Sequence, residues 1–481
     1  MLCPNRGFSI LPPARTTRRV VALVASVFIG TAIAAQSPPA GARPQARALP
    51  GPPPVLITGA RILDVVTGEY LAAGAVLIEK GRIKSITAEP PPNIPDTVTR
   101  LTLKDATLVP GLVDAHAWAA PTSDLDVDYF YLLSLAHGVT TNRAINVRTT
   151  WGVAQRGRSA SGVIDAPVLS TSGRGIDQAA SPGRWLFDAP DAASATEEVA
   201  RQKAAGVDWI AGYDSVAPEV YRAMALALRR STIRLSAQPG ASSMSDLAAA
   251  GVSSIETLAF PAQARKGPAD DAWLAASAKE LATLTTSLVR TKITLVPMLA
   301  AARARAYPKE TAKDASLELL PEARRKAIVD MLAKVPPADV ARARKVWTSQ
   351  LAFVRRFVRA GGRVATGSGF EMSGYPAPGI AVQQEIAALV EAGVTPIQAI
   401  RAATLNGALL LGLTAAKVGI KPGVEANLFV VQGDPLKNTA DLARISSVIR
   451  GGRVFDPKEL LARGRVASRE HPPVLASRST K

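Results

Sequence analysis

Val109-Pro110-Gly111-Leu112-Val113-Asp114-Ala115-His116-Ala117-Trp118 is the stretch whose reading decides the fold. An apolar run ends in a Pro-Gly turn and re-enters a short strand. Side chains alternate along a strand, so Asp114, His116 and Trp118 are expected on one face. A strand ending in an acid, an imidazole and an indole predicts the mouth of a site.

Upstream, Val55 to Asp64 and Ala75 to Ile86 are β-rich runs, and Lys80-Gly81 marks a hairpin because glycine supplies the positive φ of a tight turn. A third run, Val98 to Leu103, leads into Thr107-Leu108-Val109. Runs of the same composition recur far downstream at Ala426 to Val431 and Ile445 to Phe455. Residues 55–109 and 414–456 are therefore expected to form one composite β-sandwich from both chain ends. Between them, residues 110–413 alternate short apolar strands with alanine-rich helical stretches, the pattern of a parallel sheet. The expected fold class is α/β, a (β/α)8 TIM-like barrel carrying the composite sandwich. Val346, Leu351, Val354 and Val358 make one apolar helical stripe, ended by Gly361-Gly362. The segment from Arg303 to Arg344, with Pro308, Pro321, Pro336 and Pro337, interrupts the alternation as a helical lid over a barrel mouth or as a solvated excursion.

The chain has 481 residues, 47% hydrophobic and 20% charged, enough for a large barrel and a smaller companion domain. Residues 1–35 read as an export signal. Arg15, Arg18 and Arg19 precede the apolar run Val20 to Ile29, which thins into the small residues Thr31 to Ala35. That run is shorter than the ~20 residues of a membrane span. Cleavage near Ala34 and a periplasmic or secreted destination, with no transmembrane helix left, are expected; an uncleaved anchor is the alternative. Residues 36–54 read as a Pro/Ala-rich linker and 457–481 as a flexible tail. The sole cysteine, Cys3, lies in the signal, which excludes disulfides and thiolate metal sites from the mature chain. The net charge of +18 becomes +14 once the four arginines before Ala34 are removed. Its basic residues are scattered among acids without a stacking-aromatic motif, so nucleic acid is not an expected partner.

The segment Leu389-Val390-Glu391-Ala392-Gly393-Val394-Thr395-Pro396, followed by Ala399 to Ala408 and Leu411-Gly412-Leu413, resembles the last helices of amidohydrolases. With Gly138-Val139-Thr140-Thr141, Val418 to Gly423, Gly433-Asp434-Pro435-Leu436 and the opening stretch, the chain resembles the amidohydrolase superfamily, in its imidazolonepropionase and Xaa-Pro dipeptidase-like branch, from Val55 to Asp456. The resemblance implies a metal-binding barrel with a composite sandwich. It also implies zinc at the C-terminal strand ends, where a metal-bound water attacks the scissile carbonyl so that a carbon–nitrogen, non-peptide bond is cleaved.

The ligands implied by that resemblance are His-x-His on the first strand, lysine on the fourth, histidines on the fifth and sixth and aspartate on the eighth. His116 matches the first histidine, but Trp118 takes the second place, and an indole has no lone pair for a metal. Ala211 stands for the lysine, Leu235-Ser236-Ala237-Gln238 holds no histidine, and Thr257 and Gly369 take the sixth- and eighth-strand places. The chain has three histidines, His116, His137 and His471. His137 reads as a packed or surface residue on a helix, and His471 lies in the tail. His116 is thus a lone residual ligand position, with Asp114, Glu256 or Glu371 as oxygen helpers. No Gly-x-Ser-x-Gly elbow, P-loop or dinucleotide fingerprint is present, and Ser368 is a weaker look-alike.

Two functions follow. The first is a catalytically inactive or impaired pseudoenzyme that binds an unknown small molecule or pairs with an intact paralogue in a hetero-oligomer, without a cofactor. The second is a hydrolase of carbon–nitrogen bonds using an unorthodox site on His116, Asp114 and Glu371, with zinc as cofactor.

Overall fold

A computed structural model describes residues 51–72, 74–92, 94–117, 127–179, 186–262, 267–369 and 377–470. The signal, most of the linker, Trp118, Asp124, Asp126, Glu371 and His471 lie outside the described residues.

The chain opens with β1 (Val55–Asp64), β2 (Glu69–Ala72), β3 (Ala75–Glu79), β4 (Arg82–Thr87) and β5 (Thr99–Pro110). The β3–β4 hairpin turns at Lys80-Gly81 as expected, with φ of 51° and 76°. The third run and the approach to Pro110 are one strand, β5, rather than two. Next come β6 (Leu112–Ala117), β7 (Val139–Ala144), β8 (Val168–Thr171), β9 (Ile176–Asp177), β10 (Phe187–Asp188), β11 (Trp209–Gly212), β12 (Arg234–Ala237), β13 (Ser254–Glu256), β14 (Thr294–Val296) and β15 (Arg363–Val364). The chain then returns to its starting domain with β16 (Leu428–Gln432), β17 (Ile445–Arg450) and β18 (Arg453–Phe455).

The two ends share one eight-stranded sheet, ordered β18-β17-β16-β5-β1-β3-β4 with β2 beside β1. Its seam is the antiparallel pairing of β16 with β5, from Leu428 opposite Pro110 to Gln432 opposite Ala106. Gly111 is the single residue between this sheet and the barrel. Its N–H donates to Asn427 O, and the next N–H, of Leu112, donates to Gly138 O. A Cβ on Gly111 would fall 1.9 Å from Thr140 Oγ1, so glycine is needed where the two domains meet.

In the barrel, β6-β7-β8 pair in parallel, and so do β11-β12-β13-β14-β15. Two sets of backbone bonds join these runs into a ring. Ser172 bridges Trp209 between β8 and β11, with Asp208 N–H donating to Thr171 O. Beyond β15, Thr366 O accepts from Ala115 N–H at 2.8 Å, and Gly369 N–H donates to His116 O at 3.0 Å. The eight strands β6, β7, β8 and β11 to β15 thus form the TIM-like barrel, and β9 with β10 is an excursion beside β11.

Strand alternation sorts the buried side chains. Ile210, Leu235, Ile255 and Leu295 face the surrounding helices in the main core, while Ala115, Trp209, Val296 and Ala365 meet Leu410 in a smaller interior cluster. Asp191, Ser243, Ser277 and Thr395 each accept an N–H in the first turn of the following helix, and Gly251 ends the helix Met244–Ala250 at φ 82°. Val346 and Val354 of the expected stripe are buried on the helix Pro337–Arg359.

The insert is helical and packed. Leu317, Leu320, Ile328 and Leu332 share a buried cluster with Ala117 at the end of β6 and with Tyr129, Phe130 and Tyr131 of the helix Val127–Ala136. It therefore sits on the barrel's C-terminal side, in the manner of a lid rather than of a solvated excursion. The start of the expected flexible tail is corrected: Pro457–Glu470 is a helix, with Leu460 buried and Gly464 against Leu133. No helix among the described residues is long and apolar enough to cross a membrane.

Phe429 in β16 is fully buried, and its ring lies against Gly138 at the foot of β7. Phe429→Ala is expected to lower stability by ~3–5 kcal/mol, seen as an earlier denaturant midpoint.

Candidate functional site

The functional side chains are set by one irregularity. Along β6 and β7, Asp114 is in register with Asn142 and Ala117 with Ala144, so Ala115 and His116 together oppose the single residue Arg143. This is a β-bulge, which re-aims a side chain by one position. Asp114 keeps the register of Asn142, whose amide reaches Ser134 on the helix Val127–Ala136. His116 turns into the barrel. The expectation that Asp114 and His116 share a face is thereby corrected, because simple alternation does not cross a bulge.

Inside the barrel, His116 Nδ1 lies 2.8 Å from Glu256 Oε2. A carboxylate only accepts, so the ring donates from Nδ1, which leaves Nε2 as the acceptor of the neutral ring. Glu256 Oε1 accepts from Arg143 Nη2 at 2.7 Å and from Ser254 Oγ at 2.6 Å. Arg143 Nη1 donates to Ser254 Oγ at 3.1 Å, and its Nε donates to Ala115 O, the carbonyl exposed by the bulge. The guanidinium also lies over the Trp209 ring, 4.4 Å from its centroid. Arg143 and Glu256 are 0% and 1% exposed. Burial pushes the Glu256 carboxyl upward, but the Arg143 charge, the His116 contact and the Ser254 hydroxyl outweigh it and hold the group below the usual range.

Asp114 belongs to a second buried group. Its Oδ1 accepts from the backbone N–H of Ser368 at 2.9 Å and of His116 at 3.1 Å, and its Oδ2 has no partner among the described residues. Burial raises its pKa against those bonds. Glu385, on the helix Ile380–Glu391, accepts from Ala300 N–H at 2.6 Å, and its other oxygen is unpartnered. Burial, aided by the Asp114 charge, pushes Glu385 up to about 8. The structure thus ties Asp114 to strand ends and to Glu385, and gives the His116 ring to Glu256 instead.

The other expected positions line the same mouth. Ala211 packs with Ile145, Leu186 and Tyr213 in an apolar group. Thr257 follows β13 at φ 68°, its N–H bonded to Val296 O. Gly369 follows β15 at φ 54°, where a Cβ would meet Met298 Sδ at 2.5 Å. Asn146 after β7 and Met298 after β14 also have positive φ, 54° and 52°. For the three residues that are not glycine, Thr257, Asn146 and Met298, such conformations are strained by ~1–3 kcal/mol each, and strain of this kind gathers at functional sites. His137 is half-buried on the far side, its Nδ1 donating to Leu133 O.

These residues do not fit the zinc that the family resemblance implies. His116 offers one nitrogen, Glu256 is committed to Arg143 and Ser254, and the remaining positions carry methyl, hydroxyl or hydrogen. Among the described residues no group of three His, Cys, Asp or Glu could hold a metal ion. Sequence reading missed Arg143, although an arginine inside the buried run Thr140 to Ile145 is a signal in itself, since arginine is almost never fully buried unless paired.

The sequence pattern of the amidohydrolase family matches residues 107–455. No curated protein matches the chain. Among solved structures, a putative prolidase from Bifidobacterium longum is similar, with 20% identity and a TM-score of 0.66, over 86% of this chain and 100% of that one. A bottromycin amidohydrolase is similar at 21% identity and a TM-score of 0.66, over 86% and 90%. A Xaa-Pro dipeptidase with methionine bound in its active site is similar at 18% identity and a TM-score of 0.63, over 84% and 100%.

Glu385 provides a pH test. Its folded pKa lies above the unfolded value of 4.5, so the folded state holds a proton that the unfolded state has lost. Its contribution is therefore present below that unfolded value and lost as pH rises toward about 8. Glu385→Gln is expected to remove this loss, giving a flatter profile of melting temperature between these pH values than the wild type.

Proposed function

The chain belongs to the amidohydrolase family, and from that premise we propose that it is an impaired or inactive member that binds a ligand at its barrel mouth. The family's chemistry is hydrolysis of amide and other carbon–nitrogen bonds. The observation that carries the proposal is the buried Arg143–Glu256–His116 network. The one imidazole at a ligand position is bonded to a carboxylate that an arginine has already neutralised. Ala211, Thr257 and Gly369 supply no further donors of the kind a zinc-bound hydroxide requires. Retention of the strained backbone after β7, β13 and β14, beneath a packed helical insert, supports a mouth still shaped for binding. The ligand is a small molecule or a segment of a partner chain, including an intact paralogue in a hetero-oligomer. An exported, periplasmic or secreted setting is part of the same proposal.

One observation favours a second reading. Glu256 orients His116 with Nε2 as acceptor, the arrangement of a general base held by a carboxylate. This would serve a metal-free hydrolase acting on a carbon–nitrogen bond.

A hydrolysis panel of N-acyl amino acids, Xaa-Pro dipeptides and cyclic amides separates the two. Purified protein is expected to show no turnover above a His116→Ala control. Turnover that vanishes in His116→Ala would establish the hydrolase instead.

A further inference from the structure

The misfit with zinc has a positive counterpart in the barrel interior. We propose that Arg143 is a built-in cation that holds Glu256 and His116 in order and, by its charge, keeps divalent metal out of the mouth. The inference deepens the reading of the mouth as a site without metal, yet it does not depend on whether the protein turns over a substrate.

Three features support it. Each nitrogen of the guanidinium donates to protein, Nε to Ala115 O, Nη1 to Ser254 Oγ and Nη2 to Glu256 Oε1, and one face lies on Trp209. A planar fork of fixed donors suits such a role, whereas lysine would present a single point charge. The charges also balance. Glu256 carries one negative charge, Arg143 one positive, and His116 needs no added proton to donate from Nδ1. A divalent ion on His116 Nε2 would place its charge near the guanidinium in a low-dielectric interior, with one already paired carboxylate between them.

The third feature is the coupling between the arginine and the bulge. Arg143 is the residue opposed by Ala115 and His116, and its Nε binds the carbonyl of the first of these. Through Ala115 it holds the backbone that turns His116 inward, and through Glu256 it holds the ring. Arg143 is thus a positioning residue for His116, and the one group in the network that a metal would have to oppose.

Full-length protein and three variants test this: Arg143→Met, Arg143→Met/Glu256→Gln and Arg143→Lys. Each is equilibrated with zinc, desalted for metal analysis, and melted across a zinc titration and in chelator. The wild type is expected to retain no stoichiometric zinc and to melt at the same temperature throughout. Arg143→Met leaves a lone buried carboxylate beside His116. It should melt lower, and zinc should raise its melting temperature progressively with concentration, as for a ligand that binds the folded state. The double variant has lost both charges and should be indifferent to zinc. Arg143→Lys keeps a cation and should fold and remain indifferent; Arg143→Gln, which loses the charge but can still donate to Glu256, replaces the first variant if Arg143→Met does not fold, with the same zinc effect expected. Stoichiometric zinc in the wild type, or destabilisation of it by chelator, overturns the proposal. A folded Arg143→Met that ignores zinc overturns it too, as does an equal zinc effect in the double variant. Wild-type protein that hydrolyses an amide without metal supports this inference while ending the binding reading. Zinc-dependent hydrolysis ends both.

Discussion

The barrel interior depends on the ion pair between Arg143 and Glu256, buried from solvent and bonded at 2.7 Å. Taking two charges out of water is expensive, and removal of one partner from such a pair typically destabilises a protein by ~3–5 kcal/mol. The pair persists because neighbouring groups satisfy it. Ser254, two residues before Glu256, bonds both partners; the β6 carbonyl of Ala115 takes the arginine Nε; Trp209 of β11 supplies a face. Side chains and carbonyls of β6, β7, β11 and β13 are therefore locked to one another across the barrel. A buried polar network bonded at this many points specifies one arrangement of its strands in a way that apolar packing alone does not.

The bulge in β6 links this core to the mouth. One extra residue opposite Arg143 separates the two acidic groups that a regular strand would have merged. His116 joins Glu256 within the barrel, and Asp114 joins Ser368 and Glu385. The family's barrel normally places donors at strand ends around a metal. Here the strand ends carry positive-φ backbone at Asn146, Thr257 and Met298, and they present a methyl at Ala211, a hydroxyl at Thr257 and a bare backbone at Gly369, which lies beside Met298. A barrel of this fold can carry different side chains at its strand ends. That is why fold and function have to be argued separately for this chain.

Much of the architecture was legible from local pattern. The Pro-Gly turn, the Lys80-Gly81 hairpin and the period-two runs at both ends identified the composite sheet, because strand periodicity and turn chemistry are local properties. The strand-end positions Ala211, Thr257 and Gly369 were pointed to by the family resemblance, which aligns them without coordinates. Two local readings failed for identifiable reasons. The segment read as tail is the helix Pro457–Glu470 because it packs on the helix Val127–Ala136, with Gly464 against Leu133, a tertiary contact that no local pattern carries. The bulge left no mark in a stretch whose alternation looked regular.

By itself, then, the sequence determined the barrel and the sheet domain built from both chain ends, which rest on periodicity and turn residues. Tertiary structure decided which groups meet. Arg143, Ser254 and Glu256 come together from strands more than a hundred residues apart in the chain, and no spacing rule connects them. The direction of His116 was likewise decided by a one-residue register shift against β7, a property of the pairing and not of either strand alone.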